Sequence, residues 1–410
     1  MIRILLTTAF TFIPSLAFAQ TVFLDDATRI GPDGSRSTID VIIRDGEITS
    51  QAKRLKKPRD AQLIENGWLT SGLFAPMSTL GLTDIGSSGP GNDIASENSE
   101  TNVAERAADS FNPRSPYIGN TVQRGVTHAI IAPRGGEGSI FAGTGAVISL
   151  TGAFDSVLIE DAFVLVELGE TGTRRAGGSR AAVMAQLRAA IADANGFFRR
   201  YSQHSDGGDI LSRQDAAAFV KAANGDIPLM IRVSRAADIS KLIALKNDNP
   251  ALDIIIVGAE EAWELAESIA EANMRVILDP LSNLPSSFET AGARLDNASI
   301  LHKAGVDFAI ANLTSLGVAN ASILNQHAGN AVAQGLNWDD AFAAISTVPM
   351  NWFGIKDKSL VAWDGDPLEV TSAPIAVSIN GQALPMTSRT KALRDRYNPT
   401  KEDKRAYKYR

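Results

Sequence analysis

The chain of 410 residues contains no cysteine. Disulfides, a thiolate nucleophile and a Cys-ligated zinc site are therefore excluded. Histidine is scarce: His128, His204, His302 and His327 are the whole complement. No two of them stand at the spacing of a shared metal site. Net charge is also small, at −7, and gives no reason to expect nucleic acid as a partner. Beyond the N-terminus, no apolar run is long enough to span a membrane.

What is present begins with the N-terminus. Met1-Ile2-Arg3 supplies a short basic start, and Ile4 to Phe18 is apolar but too short for a bilayer. Ala17-Phe18-Ala19 fits the small-x-small cleavage rule, which predicts a signal peptide over 1–19 and a periplasmic or secreted mature protein. Strands are expected at Thr21–Leu24, Ile39–Arg44 and Glu47–Ser50, with Asp45-Gly46 as the tight turn of a hairpin. Residues 83–118, rich in Gly, Ser, Asn and Asp, read as a long surface loop over a functional mouth.

From 119 to about 350, short apolar runs alternate with amphipathic stretches. Strand-like runs lie at 126–132, 162–166, 229–233, 254–257, 275–278 and 308–311. Helical patterns cover Ala181–Asn195, Arg235–Lys246 and Glu260–Ala272. This alternation argues for a parallel sheet or barrel. Strands return at 359–363 and 376–384, the second turning at Asn380-Gly381. The tail is strongly basic.

Residues 67–82 read G-W-L-T-S-G-L-F-A-P-M-S-T-L-G-L. Together with I-x-V-I-I-R-D-G at 39–46, N-W-F-G at 351–354 and V-A-W-D-G-D-P-L at 361–368, this run resembles the amidohydrolase superfamily, nearest its imidazolonepropionase-like members. The resemblance covers nearly the whole mature chain. It implies an α/β fold: a distorted (β/α)8 TIM barrel of the metal-dependent hydrolase type with a flanking composite β-sandwich built from both termini. The boundaries would be an N-terminal sandwich segment at 20–66, the barrel at 67–356, a C-terminal sandwich segment at 357–390 and the basic tail at 391–410.

Active members of that superfamily hold zinc or another divalent ion at the C-terminal mouth of the barrel, through an H-x-H on strand one, a Lys or Glu on strand four, a His each on strands five and six and an Asp on strand eight. The matching positions here are Met77 and Thr79, Glu167, Arg232, Gly258 and Asn312. Only Glu167 could still ligate a hard cation, and a guanidinium in that pocket repels one. No metal or other cofactor is expected, and no catalytic residue is assigned.

The resemblance with these replacements implies a secreted superfamily member that has lost its metal histidines and serves as a non-catalytic binding or assembly subunit. A homo-oligomer or a metal-competent amidohydrolase subunit would be its partner. Two alternatives stand beside it: a hydrolase of non-peptide C–N bonds in small amides or cyclic ureides, and a periplasmic small-molecule binding protein in which Arg232 grips a carboxylate. Of the remaining features, His128 reads as a hydrogen-bonded core residue and His302 as the C-terminal end of a helix. His327 reads as helical. His204-Ser205-Asp206 is contiguous and so no evidence of a triad. Gly143-Thr144-Gly145 reads as a strand turn, and Ser179, after Gly177-Gly178, as a helix N-cap.

Overall fold

The computed structural model describes residues 21–31, 33–85, 89–96, 101–202, 208–313, 321–356, 358–387, 393–394 and 396–397. The segment expected to be a signal peptide, His204 and most of the basic tail lie outside the described residues. Among the described residues no helix is long and apolar enough to cross a membrane.

Among the described residues, sixteen strands form two eight-stranded sheets. In chain order they are β1 (Thr21–Ile30), β2 (Arg36–Arg44), β3 (Glu47–Ala52), β4 (Gln62–Glu65), β5 (Trp68–Ser71), β6 (Leu73–Ser78), β7 (Val126–Ile131) and β8 (Phe141–Ser149). Then follow β9 (Val157–Glu167), β10 (Leu229–Val233), β11 (Ile254–Gly258), β12 (Arg275–Leu278), β13 (Phe308–Ile310), β14 (Leu360–Trp363), β15 (Pro374–Ile379) and β16 (Gln382–Ala383). The first sheet runs β16-β15-β14-β5-β1-β2-β3, with β4 on β1, so both ends of the described chain meet in it. Its hairpin turns are as expected: Asp45 and Gly46, and Asn380 and Gly381, all take positive φ.

The second sheet runs from β6 to β13 in order. It closes through irregular backbone. Ile310 N–H donates to Ala344 O at 3.0 Å, and Phe74 N–H donates to Ile345 O at 2.8 Å, so the 344–345 segment bridges β13 and β6. Helices Arg180–Asn195, Arg213–Ala223, Ala236–Asp248 and Asn297–Lys303 fall between its strands.

Five expectations change. The strand read across 67–82 is two: β5 pairs with β1 and β14 in the first sheet, and β6 opens the second. The chain passes between them at Gly72, where a Cβ would lie 2.0 Å from Thr127 Oγ1. The eight strands are not all parallel, because β8 runs antiparallel to β7 and β9. Segments 132–140 and 150–156 are shorter than the roughly dozen residues a parallel crossover needs. Gly143-Thr144-Gly145 is therefore strand interior, not a turn. The 83–118 segment is partly structured, with helices Ala107–Ser110 and Pro116–Val122 and buried Val103 and Ile118. The helix expected from Glu260 starts as a 3-10 turn at Ala262–Leu265 and becomes α at Ala266–Glu271.

Alternation along the parallel strands sorts their side chains. Phe163, Leu165, Met230, Ile255, Val257, Ile277 and Ala309 pack into one cluster, together with Phe74 and Met77. Val164, Val166, Ile231, Ile254, Ile256, Val276 and Leu278 belong to the larger cluster against the helices. The first set fills the inside of the curled sheet. Its next members at the strand ends are Glu167, Arg232 and Asp279.

Candidate binding site at the strand ends

A cavity of about 360 Å³ opens at the C-terminal ends of the second sheet. Met77, Thr79, Glu167, Arg232 and Asn312 all line it. Five of the six positions singled out in the sequence are thus brought together. Gly258 is not among the lining residues. It pairs with Val233 and Leu278, on the parity that faces the helices. Its φ is +102°, and a Cβ there would lie 3.2 Å from Val233 O. A side chain at residue 258 would therefore be strained as well as crowded.

Arg232 and Glu167 are direct neighbours across β10 and β9. Arg232 Nε approaches Glu167 Oε1 to 3.3 Å, with Glu167 buried and Arg232 half-buried. The geometry is that of an ion pair without a hydrogen bond, since Arg232 Nε has no hydrogen-bond partner. Leu168 N–H donates to Arg232 O at 3.0 Å, which fixes the two strand ends side by side.

Three further arginines reach the cavity, none of which was singled out in the sequence. Arg134 follows β7, and Arg174 and Arg175 come from the helix Gly169–Arg175 that follows β9. Arg174 Nη1 donates to both Glu137 oxygens at 2.7 and 2.8 Å. That hydrogen bonding holds the Glu137 carboxyl below its ordinary value. Arg175 Nη2 donates to Arg134 O and Gly135 O at 3.0 and 3.2 Å, while its Nε and Nη1 are buried without a hydrogen-bond partner. Four guanidiniums thus face two carboxylates, Glu167 and Glu137, and the mouth carries an excess of two positive charges.

Asp279 was not singled out in the sequence, and His327 was read only as helical, which it is, in the helix Leu324–Ala333. Asp279 Oδ1 lies 2.9 Å from His327 Nδ1, and both side chains are buried. Leu281 N–H donates to Oδ1 at 2.9 Å and Leu313 N–H to Oδ2 at 3.0 Å. Asp279 thereby anchors Leu313, the neighbour of Asn312 in the cavity wall. A carboxylate directly after the apolar run R-V-I-L, on the parity of Ile277, was the available clue. His128 is the core residue expected, 3.0 Å from Thr127 Oγ1 through Nδ1. His302 sits in the last turn of helix Asn297–Lys303, 3.2 Å from Asp340. Ser179 is the N-cap of helix Arg180–Asn195 by position, but its side chain makes no capping bond.

The donor set does not fit a divalent metal. Among the described residues no imidazole or thiolate lines the cavity, the one lining carboxylate is engaged by a guanidinium, and the remaining charges are positive. Among the described residues no group of three or more His, Asp or Glu side chains is arranged to hold an ion. What the arrangement can do is hold negative charge against planar guanidinium donors.

No family model and no curated protein matches the sequence. Solved structures do. An amidohydrolase from Thermotoga maritima superposes with a TM-score of 0.73 over 88% of this chain and 99% of its own, at 20% identity. Looser likenesses include an amidohydrolase from Brucella melitensis (12% identity, 92% and 97% covered, TM-score 0.44). Another is N-isopropylammelide isopropylaminohydrolase from Burkholderia multivorans (13%, 89% and 98%, 0.41). Only the first is close enough to carry an argument, and at its identity the argument concerns the fold.

Proposed function

We propose that this chain, which carries the amidohydrolase fold, binds a small molecule at its strand ends and does not hydrolyse it through a divalent metal. We read the second sheet as a distorted (β/α)8 barrel and the first as the composite domain beside it. The observation that carries the functional reading is the Arg232–Glu167 ion pair. In the superfamily, those two strand ends help to hold the metal. Here a guanidinium supplies the positive charge and takes up the one carboxylate that could have served a cation. Met77 and Thr79 stand where the two imidazoles of strand one would converge, and neither is a ligand for a hard divalent ion. The role is that of a non-catalytic binding subunit.

Metal analysis of the purified chain after incubation with zinc and manganese, run beside an assay of ammonia release from small amides and cyclic ureides, tests this. The expected outcome is no stoichiometric metal and no turnover. One or two tightly held equivalents, removed by chelator together with an amide-hydrolysing activity, would overturn the reading and restore a hydrolase.

A further inference from the structure

The charge at the mouth runs against that of the molecule. The whole chain carries −7, whereas the cavity wall holds two uncompensated positive charges. Two of its four arginines are held by other groups: Arg174 by Glu137, and Arg175 by the carbonyls of Arg134 and Gly135. The other two present unengaged donors. Arg232 approaches Glu167 at Nε, and its Nη groups donate no hydrogen bond to a described residue. Arg134 makes no side-chain hydrogen bond or ion pair among the described residues, although its main chain is tied down at both polar groups. Each free edge is a planar pair of N–H donors, the shape that matches a carboxylate or phosphate.

From this we propose that the cavity takes a small organic dianion, with Arg232 and Arg134 as its two anchoring forks. Both arginines line one space of about 360 Å³, the size of a small-molecule site. Met77 and Leu313 add apolar wall for a short carbon skeleton, and Thr171 adds a hydroxyl. Glu167, the only lining carboxylate among the described residues, is buried beside Arg232, so its charge is spent on the arginine before a ligand arrives. Dicarboxylates and phosphate esters share the required chemistry, two negative charges on planar or tetrahedral oxygens.

The inference rests on the reading of the mouth as a metal-free binding site, and its test separates the two. Calorimetric titration of the full chain, in EDTA, would use succinate, glutarate and inorganic phosphate as probes and succinamide as the uncharged counterpart of succinate. At about 0.01 M ionic strength a dianion should bind at least about tenfold tighter than succinamide, and the advantage should collapse near 1 M. A preference for succinate or glutarate identifies a dicarboxylate, and one for phosphate identifies a phosphate ester. Arg232→Gln and Arg134→Gln should each weaken the preferred probe by about tenfold. Equal binding of succinate and succinamide with no binding of phosphate would overturn the proposal on the unaltered chain, whatever happens to the variants. So would an Arg134→Gln, Arg232→Gln double variant that binds as its parent does. Metal-dependent amide hydrolysis would instead sink the non-hydrolytic reading and leave a positive dianion titration standing.

Discussion

Gly145 sits in the middle of β8 with a phenyl ring where its side chain would be. A Cβ there would lie 1.9 Å from Phe163 Cζ, closer than any packed contact allows. Gly143, two residues earlier, has φ +112° and would press on Glu105 O at 2.7 Å. The G-T-G triplet is a packing device, and Thr144 between the glycines donates from Oγ1 to Val103 O at 2.7 Å. Gly145→Ala should therefore cost about 1–3 kcal/mol by overpacking. Urea unfolding would check this, and Phe163→Leu on the same background should recover some of the loss. A silent Gly145→Ala would mean that the ring is free to move and that β8 tolerates side chains. At this scale the sequence was legible where period-two alternation applied. Glu167 and Arg232 were named from the family resemblance, and the inward parity of β9 and β10 is what brings them together. Gly258 was not legible, because a positive φ at a strand end leaves no trace in hydrophobic spacing.

Elements were harder to place where they depend on polar anchors between segments far apart in sequence. Helix Arg180–Asn195 is joined to the next helix by such an anchor. The buried Asp193 accepts from Asp209 N–H and Arg200 Nη1 through Oδ1, and from Ile210 and Leu211 N–H through Oδ2, all at 2.8–3.0 Å. Burial alone would raise its pKa, but the Leu211, Asp209 and Ile210 N–H groups and the Arg200 charge outweigh it and hold the carboxyl below its ordinary value. A folded pKa below the unfolded one makes a contribution that is present above about pH 3.9 and is lost as pH falls through the folded value. Asp193→Asn should cost about 2–3 kcal/mol at neutral pH. Its deficit against the parent should shrink in urea titrations carried below about pH 3.9. A deficit that stays constant through that range would trace the loss to shape and not to charge. Arg134, Arg174 and Arg175 were missed for a related reason. They come from a loop and a short helix with no periodic pattern, and only the way β7 and β9 end brings them to one mouth. The pairing of Asp279 with His327 spans 48 residues and left no local mark.

Across the whole molecule, two of the ties between the two sheets differ in weight. Arg36 of β2 lies over the packed rings of Trp68 and Trp338, 5.5 and 4.7 Å from their centroids, and pairs with Asp339 at 2.7 Å. Both charged groups are largely exposed, so the tie is worth about 1 kcal/mol for the ion pair and a similar amount for the rings. Trp363 of β14 is fully buried. Its Nε1 donates to Thr70 Oγ1 at 3.0 Å within the first sheet. Its ring lies against Gly125 just before β7, where a Cβ would come within 2.6 Å of it. Gly125 O in turn accepts from Leu73 N–H at 2.9 Å, at the start of β6. One side chain from the C-terminal region of the chain thus packs on the entry to the second sheet. The W-D-G-D-P run was legible as a strand end, but the partner of its ring was not, because a buried tryptophan does not announce what it covers. Removing that ring empties a large volume at the junction, which the Arg36 tie does not. Trp363→Ala should cost about 3–5 kcal/mol, clearly more than Arg36→Ala, when both are measured by urea unfolding of the same chain. Equal losses would place the coupling of the two sheets at the exposed arginine instead of the buried indole.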